Sequence, residues 1–245
     1  MATDLTQFGL TEMLRCSAAI RQGVAGAATT EGAAKRVCEV LYRYFGGDDP
    51  AADPQCALVR LYKTHRFEAL DPSLRVFAKK RLGTLKAPKG MRCLCLLATR
   101  GDEPGWNDRR ASHGHQAIPL PTTEMVEQAP MVAQLVRQFG LDLADVVAPR
   151  PEVMAAAPGR SYGVFHVEDA QGSPFIPAQD FVERYGIRSV VGFGGALRSA
   201  DIFAVILFSR VPIARDTAER FRTMALDVKS ALFNFDDDAV FEPSR

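Results

Sequence analysis

The sequence predicts an α+β domain in which helices flank a central antiparallel β-sheet. Helical periodicity occupies both ends of the chain, and strand-like apolar runs lie between them. Two neighbouring runs, Ile187–Ala196 and Ile202–Arg210, are separated by a connection of hairpin length. This order of elements is typical of α+β domains. We expect the helices mainly on one face of the sheet, connecting segments over the other, and the N- and C-terminal helices packed together.

Composition excludes several classes of protein. The 245 residues are 47% hydrophobic and 24% charged, which is enough for one large or two small domains with their own core. Disorder is excluded by the same values. A net charge of +1 argues against nucleic acid as the main partner. The longest strongly apolar run, Phe203–Phe208, is too short to cross a bilayer, which takes about 20 residues, so we expect no membrane association.

The N-terminus and the cysteines predict a cytoplasmic protein. Asp4 and Glu12 interrupt the first apolar residues, so the pattern of a secretion signal is missing. Five cysteines, an odd number, fit free thiols in a reducing compartment better than a disulfide framework.

Five main helices and one short helix are predicted. The first spans Leu5–Val24 with a/d spacing, which suits packing on its own domain or a two-helix seam. The second begins with Thr30 as N-cap and stops at Gly46. Asp71 and Pro72 open a third, and Pro130 another. A short helix is predicted over Gln179–Tyr185. The closing helix is predicted to begin with Asp216 and Glu219, which form a capping box.

Strands are predicted from apolar, β-branched runs, and the segments between them are assigned to loops. The stretch Ile118–Pro121 is rich in proline and is assigned to no strand. The remaining predicted strands are Cys56–Tyr62, Met91–Thr99 and Tyr162–Glu168.

The C-terminal stretch "IRSVVGFGGALRSADIFAVILFSRVPIARDTAERFRTMALDVKSALFNF" resembles the GAF family of sensory domains. The helix "AAKRVCEVLYRYF" and the strand "CALVRLYK" resemble the family's opening helix and first strand, and "GHQAIPLP" resembles the strand-loop that reaches its pocket. The likeness covers about two-thirds of the chain and contains no catalytic signature. Compared with the family, Pro72–Leu82 and Glu124–Pro158 are expected to be insertions.

The resemblance implies a pocket for a small molecule, a haem or a chromophore, and a signal that passes through terminal helices to an output protein or domain. It also gives the domain boundaries: residues 1–29 as an N-terminal helical extension, 30–235 as the GAF-like sensory domain with inserted helices, and 236–245 as an acidic flexible tail. No output domain follows Arg245 in this sequence, which leaves open a free-standing regulator or a fragment of a longer sensor.

Candidate ligand-binding residues gather in the loop "RGDEPGWNDRRASHGHQ". Trp106 is suited to stacking on a planar ligand, and Arg109 to gripping a carboxylate or phosphate. His113 and His115 lie two residues apart and would share one side of an extended segment. The alternative is a solvated loop that the tryptophan anchors to the surface.

A second group of candidates lies on predicted strands. Tyr162 and His166 share one strand face, where His166 would ligate haem or donate to a ligand; a structural histidine bonded to a backbone carbonyl is the favoured alternative. Phe193 stands among the glycines of "VGFGG", which fail the nucleotide-loop spacing and indicate a bulge or close backbone approach that would still face a ligand. His113, His115 and His166 are weak metal candidates, since a zinc site needs about four ligands, and no metal is predicted.

Enzyme signatures are missing from the sequence, and the resemblance leaves open only a thiol-dependent reductase, which would need an exposed cysteine of low pKa. The sequence therefore predicts a sensory domain that binds a small molecule and signals as a homodimer through its terminal helices. A haem- or metal-holding redox or gas sensor and a ligand-free scaffold are the alternatives.

Overall fold

The sheet has six antiparallel strands. The computed structural model describes residues 3–48, 54–149, 162–197, 199–233 and 240–242. Within them the strand order is β3-β2-β1-β6-β5-β4, with every neighbouring pair antiparallel, as predicted. The strands are β1 (Cys56–Arg66), β2 (Arg92–Gly101), β3 (Ala117–Leu120), β4 (Tyr162–Val167), β5 (Ser189–Ala196) and β6 (Ile202–Ser209).

The α-helices of the described residues occupy the predicted places with some differences at their ends. Asp71 accepts from the backbone N–H of Leu74, with Pro72 in the first turn, as predicted. The cap of the second helix is Thr29, not Thr30. The bounds are α1 (Leu10–Gly23), α2 (Thr30–Tyr44), α3 (Pro72–Leu82), α4 (Thr123–Glu127), α5 (Pro130–Gln138), α6 (Leu143–Val147), α7 (Gln179–Arg184), α8 (Arg215–Glu219) and α9 (Phe221–Phe233).

The predicted capping box of the closing helix is wrong. Ala214 is the N-cap of α8 and makes no side-chain cap. The carboxylate of Glu219 instead pairs with two arginines, Arg215 and Arg222, the second at 2.5 Å. A carboxylate at this place has stronger partners in guanidinium groups than in one backbone N–H, which explains the difference.

One face of the sheet carries α1, α2 and α9, which share a core. Phe8, just before α1, stacks on Phe221 of α9 at 4.9 Å between ring centroids. Met13 and Ile20 of the predicted α1 stripe are buried in this core, whereas Leu10 is 65% exposed. The terminal helices therefore pack together within one chain, as predicted.

The other face is covered by the segments between strands, including α4–α7. Three elements there were missed by sequence reasoning: β3, α4 and α6. β3 contains Pro119, and proline is tolerated because β3 is an edge strand. The two helices are each five residues long, too short to show helical periodicity.

Part of the C-terminal segment returns to α2. The carbonyl of Val240 accepts from the N–H of Glu31 at 2.8 Å, and the N–H of Glu242 donates to the Glu31 carboxylate at 3.0 Å. The acidic run at 236–238 lies outside the described residues. The domain boundaries drawn from the sequence stay a prediction. No helix of the described residues is both long and apolar enough to cross a membrane.

Candidate functional site

A cavity of about 480 Å³ lies between the sheet and the segments that cover its second face. Its floor follows from strand alternation, because every second side chain of a strand points to the same face. The two central strands contribute three facing pairs: Leu58 with Phe208, Arg60 with Ile206, and Tyr62 with Ala204.

The roof of the cavity comes from the starts of two helices. Met131 and Val132 in the first turn of α5 form one side, and Ile176 and Phe181 at α7 form the other. The ring of Trp106 contacts Phe181 edge-on at 5.6 Å and closes one wall. This volume lies within the range of small-molecule sites, roughly 300–1,000 Å³, and most of the lining is apolar, as such sites are.

A few polar side chains interrupt the apolar lining. Arg60 and Tyr62 rise from β1, Arg81 reaches the cavity from the last turn of α3, and His115 precedes β3. Partial enclosure, together with the charges of Arg60 and Arg81, lowers the pKa of His115 to about 4. His115 is therefore neutral at pH 7.

Two of the seven residues predicted to bind ligand line this cavity, namely Trp106 and His115. His113, two residues from His115, is exposed and is not part of the lining. For Trp106 and His115 a binding role stays a prediction.

Arg109 lies away from the cavity, in a buried ion pair. Its Nη2 is 3.0 Å from Oε2 of Glu31, and its guanidinium lies over the ring of Phe241 at 4.7 Å. The loop therefore divides: Trp106 faces the cavity, and Arg109 ties the loop to α2 and the C-terminal segment.

The strand candidates also lie outside the cavity. Nε2 of His166 is 2.7 Å from the carbonyl oxygen of Ile213, which is the structural bond that sequence reasoning favoured. Tyr162 accepts a hydrogen bond from Nζ of Lys229 at 2.6 Å. Phe193 is fully buried in the core of the first face, against Phe221.

A haem in the cavity ligated by His166 does not fit this arrangement, because His166 is not among the lining residues and its Nε2 is bonded to the carbonyl of Ile213. Among the described lining residues, the one histidine is His115, which precedes β3 and is only partly enclosed. The described residues also contain no group of three or more histidine, cysteine or acidic side chains placed to hold a metal ion.

The thiols offer no reactive nucleophile. All five cysteines are free and fully buried. Burial, assisted by nearby negative charge, raises the pKa of both Cys16 and Cys93 to about 12, and it raises the pKa of the other three thiols as well. Since the thiolate is the reacting form, this argues against a thiol-dependent reductase.

A second cavity, of about 700 Å³ and polar, lies at the ends of β1 and β2. His65, Arg92 and Asp201 line it, and Arg92 pairs with Asp201 at 2.5 Å. Burial, with the charges of Lys63 and Arg92, holds the pKa of His65 well below its usual value. Both signs of charge are present, so this cavity defines no ligand class.

Sequence reasoning missed Arg60, which is the charged residue of the cavity floor. The sequence did contain an indication of this role, because Arg60 is the one charged residue inside the apolar run Ala57–Tyr62. A charged residue within a central strand needs a polar or solvent-connected environment, which here is the cavity.

No family model and no curated protein matches the chain. Solved structures do resemble it. The GAF domain of a phosphoenolpyruvate-protein phosphotransferase from Coxiella burnetii is 12% identical, with a TM-score of 0.48, over 91% of this chain and 94% of that one. The phycoerythrobilin-bound GAF domain of a cyanobacterial phytochrome is 11% identical, with a TM-score of 0.40, over 95% and 96%.

A third similar structure is the N-acylhomoserine lactone-dependent LuxR-family factor CepR2 from Burkholderia cenocepacia, 14% identical, with a TM-score of 0.40, over 92% of this chain and 95% of that one. At these identities and TM-scores the three likenesses carry no argument about this chain. The fold itself, a six-stranded antiparallel sheet with flanking helices, is of the α+β class that the sequence predicted.

Proposed function

We propose that this protein is a sensory domain that binds a small molecule in the cavity between the sheet and α4–α7 and signals through its terminal helices as a homodimer. The observation that carries the proposal is the cavity itself, about 480 Å³ and lined mainly by apolar side chains. An apolar space of this size is costly to leave empty in a packed interior, which favours an occupant.

The route for a signal follows from β6, because the side chains of this strand alternate between the two faces of the sheet. Ala204 and Ile206 point into the cavity, whereas Val205 and Leu207 lie in the core shared by α1, α2 and α9. A ligand that shifts β6 would therefore disturb the packing of α9. Such a change in relative helix arrangement is the kind of two-state response that a ligand biases by binding one state more tightly.

The same helices carry exposed apolar side chains suited to a second copy of the chain. Leu10 and Leu14 stand one turn apart on α1 and are 65% and 55% exposed. Leu226 and Phe233 are separated by seven residues on α9 and are 49% and 55% exposed. Large exposed apolar side chains grouped on two packed helices favour a self-association surface. A cytoplasmic location and a signalling output partner belong to the same proposal, the former supported by five free thiols.

Native mass spectrometry of the purified protein tests the cavity. We expect an excess mass from a co-purified small molecule in the wild type, and its loss in Ala204→Phe, which fills the floor of the cavity. Val76→Phe adds volume at a residue that is 67% exposed on α3 and serves as the matched control. An excess mass that persists undiminished in Ala204→Phe contradicts the proposal.

The same spectra report the number of chains. We expect a dimer for the wild type, and a monomer for Leu14→Glu with Leu226→Glu, because charge on this surface opposes burial. A wild-type monomer at micromolar concentration contradicts the helix-mediated mechanism and favours the scaffold alternative.

A further inference from the structure

Two arginines stand in the otherwise mainly apolar lining of the cavity. Arg60 and Arg81 both line it, and the described lining residues include no aspartate or glutamate. Neither arginine forms an ion pair with any described residue. Arg60 is half-buried and Arg81 is exposed, whereas Arg92, which lines the second cavity, is buried and pairs with Asp201 at 2.5 Å.

Arg60 lies on the central strand β1, where solvent access is limited. Its Nε atom is buried and has no hydrogen-bond partner. A buried donor without a partner costs free energy, and a buried cation without a counter-charge costs more. The Tyr62 hydroxyl is the neighbouring polar group, and it interacts with the Arg60 guanidinium. The Arg60 guanidinium therefore has the Tyr62 hydroxyl beside it and no carboxylate among the described lining residues.

Arg81 reaches the same region from a different element. It belongs to the last turn of α3, whose apolar side packs with Cys93, Cys95 and Ala117 at the sheet edge. The charges of Arg60 and Arg81 both lower the pKa of His115, which places the three side chains in one electrostatic environment. Because His115 is neutral at pH 7, it is available there as a hydrogen-bonding group while the two arginines supply the charge.

We propose that the cavity ligand is an amphipathic organic anion, with a carboxylate or phosphate group bound by Arg60 and Arg81 and an apolar body lying over the floor between Trp106 and the start of α5. Guanidinium groups bind such anions with two parallel hydrogen bonds, and both arginines line the cavity. The inference rests on the proposed function, since it names the ligand class of that cavity.

Isothermal titration with three probes of similar alkyl-chain length tests the charge. Decanoate, 1-decanol and decyltrimethylammonium share an apolar body and carry a negative, a neutral and a positive end group. We expect decanoate to bind the wild-type chain at least about tenfold more tightly than 1-decanol, the gain of a charge-assisted hydrogen bond, and the cation to bind more weakly than either.

Variants of the two arginines test whether they bind the anionic group of the ligand. Arg60→Gln and Arg81→Gln should each weaken decanoate by about tenfold and leave 1-decanol unchanged. Arg60→Lys keeps the charge and should restore part of the affinity, which separates loss of binding from loss of folding. Lys80→Gln is the matched control: Lys80 is the exposed neighbour of Arg81 on α3 and does not line the cavity.

The outcomes separate this inference from the proposed function. If 1-decanol binds as tightly as decanoate and Ala204→Phe abolishes both, the cavity binds ligands but the anionic class is overturned. If Arg60→Gln and Arg81→Gln leave decanoate affinity unchanged, the assignment of the anion to these arginines is overturned. If no probe binds the wild type, or if Ala204→Phe binds all three probes as tightly as the wild type does, the cavity is not the binding site. The proposed function and the anionic ligand class then both fail.

Discussion

Arg109 donates from Nη2 to Oε2 of Glu31 at 3.0 Å, and both side chains are at most 5% exposed. The pair joins the loop after β2 to the first turn of α2. The Glu31 carboxylate also accepts from the backbone N–H of Glu242 and lies 3.0 Å from Nζ of Lys35. One buried carboxylate therefore holds together a loop, a helix and the returning C-terminal segment.

Removal of Arg109 should destabilise the fold strongly. Arg109→Met leaves the Glu31 carboxylate buried without its main partner, and the expected loss is about 3–5 kcal/mol in the free energy of unfolding. Urea denaturation followed by circular dichroism measures it. The double variant Arg109→Met with Glu31→Gln should recover part of the loss. If Arg109→Met alone were as stable as the wild type, the pair would have no structural role.

The same pair predicts acid sensitivity. Burial acts to raise the pKa of Glu31, but hydrogen bonds from Arg109 and Lys35 outweigh it, so the pKa lies below its ordinary value. Its contribution to stability is therefore complete above the ordinary glutamate pKa and is lost as pH falls through the lowered folded-state value. In Glu31→Gln this acid-dependent loss should be smaller than in the wild type, measured as unfolding free energy between pH 5 and pH 3.

His65 predicts a separate dependence at higher pH. Its folded-state pKa is lowered, so the unfolded chain binds a proton near pH 6.5 that the folded chain does not. Stability should therefore fall as pH decreases below about 6.5, by about 1 kcal/mol between pH 7.5 and pH 5.5 from this residue. His65→Gln should remove that part of the dependence, whereas His113→Gln, at an exposed position, should keep the wild-type profile. Equal profiles for His65→Gln and the wild type would refute this origin.

Gly194 in β5 allows close backbone approach to β6. A Cβ atom there would collide with the carbonyl oxygen of Phe203 and come within 2.9 Å of Cα of Ala204. Gly194→Ala should cost about 1–3 kcal/mol, the range for overpacking. Gly105→Ala, where a Cβ meets nothing within 4 Å, should change stability by less than about 0.5 kcal/mol. Chemical denaturation of the two variants compares them, and equal stability would show that the strands adjust freely.

The thiols should be inert in the folded protein. Because burial raises the pKa of every cysteine, labelling by a thiol reagent at pH 7.4 should be at least about a hundredfold slower than in the urea-unfolded chain. The rate of thionitrobenzoate release measures this. A fast-reacting thiol in the native state would reopen the thiol-enzyme hypothesis.

More of the fold than of the candidate site could be predicted from the sequence. The hairpin of β5 and β6 and the helix cap at Asp71 depend on local sequence, and they appear where predicted. Arg109 could not be placed, because its partner Glu31 lies 78 residues away and no local pattern encodes the pair. Arg60 had a local signal, a charge within an apolar strand, but its meaning depends on β6 and α5, which meet only in the folded chain.

The emission of Trp106 tests the central claim most directly. Trp106 is the only tryptophan of the chain and lines the cavity, so occupation of the cavity changes its surroundings. As decanoate is added to the wild type, we expect a saturable change in emission with one site per chain, abolished in Ala204→Phe and retained in Val76→Phe. No change in the wild type, or the same change in Ala204→Phe, would contradict the account.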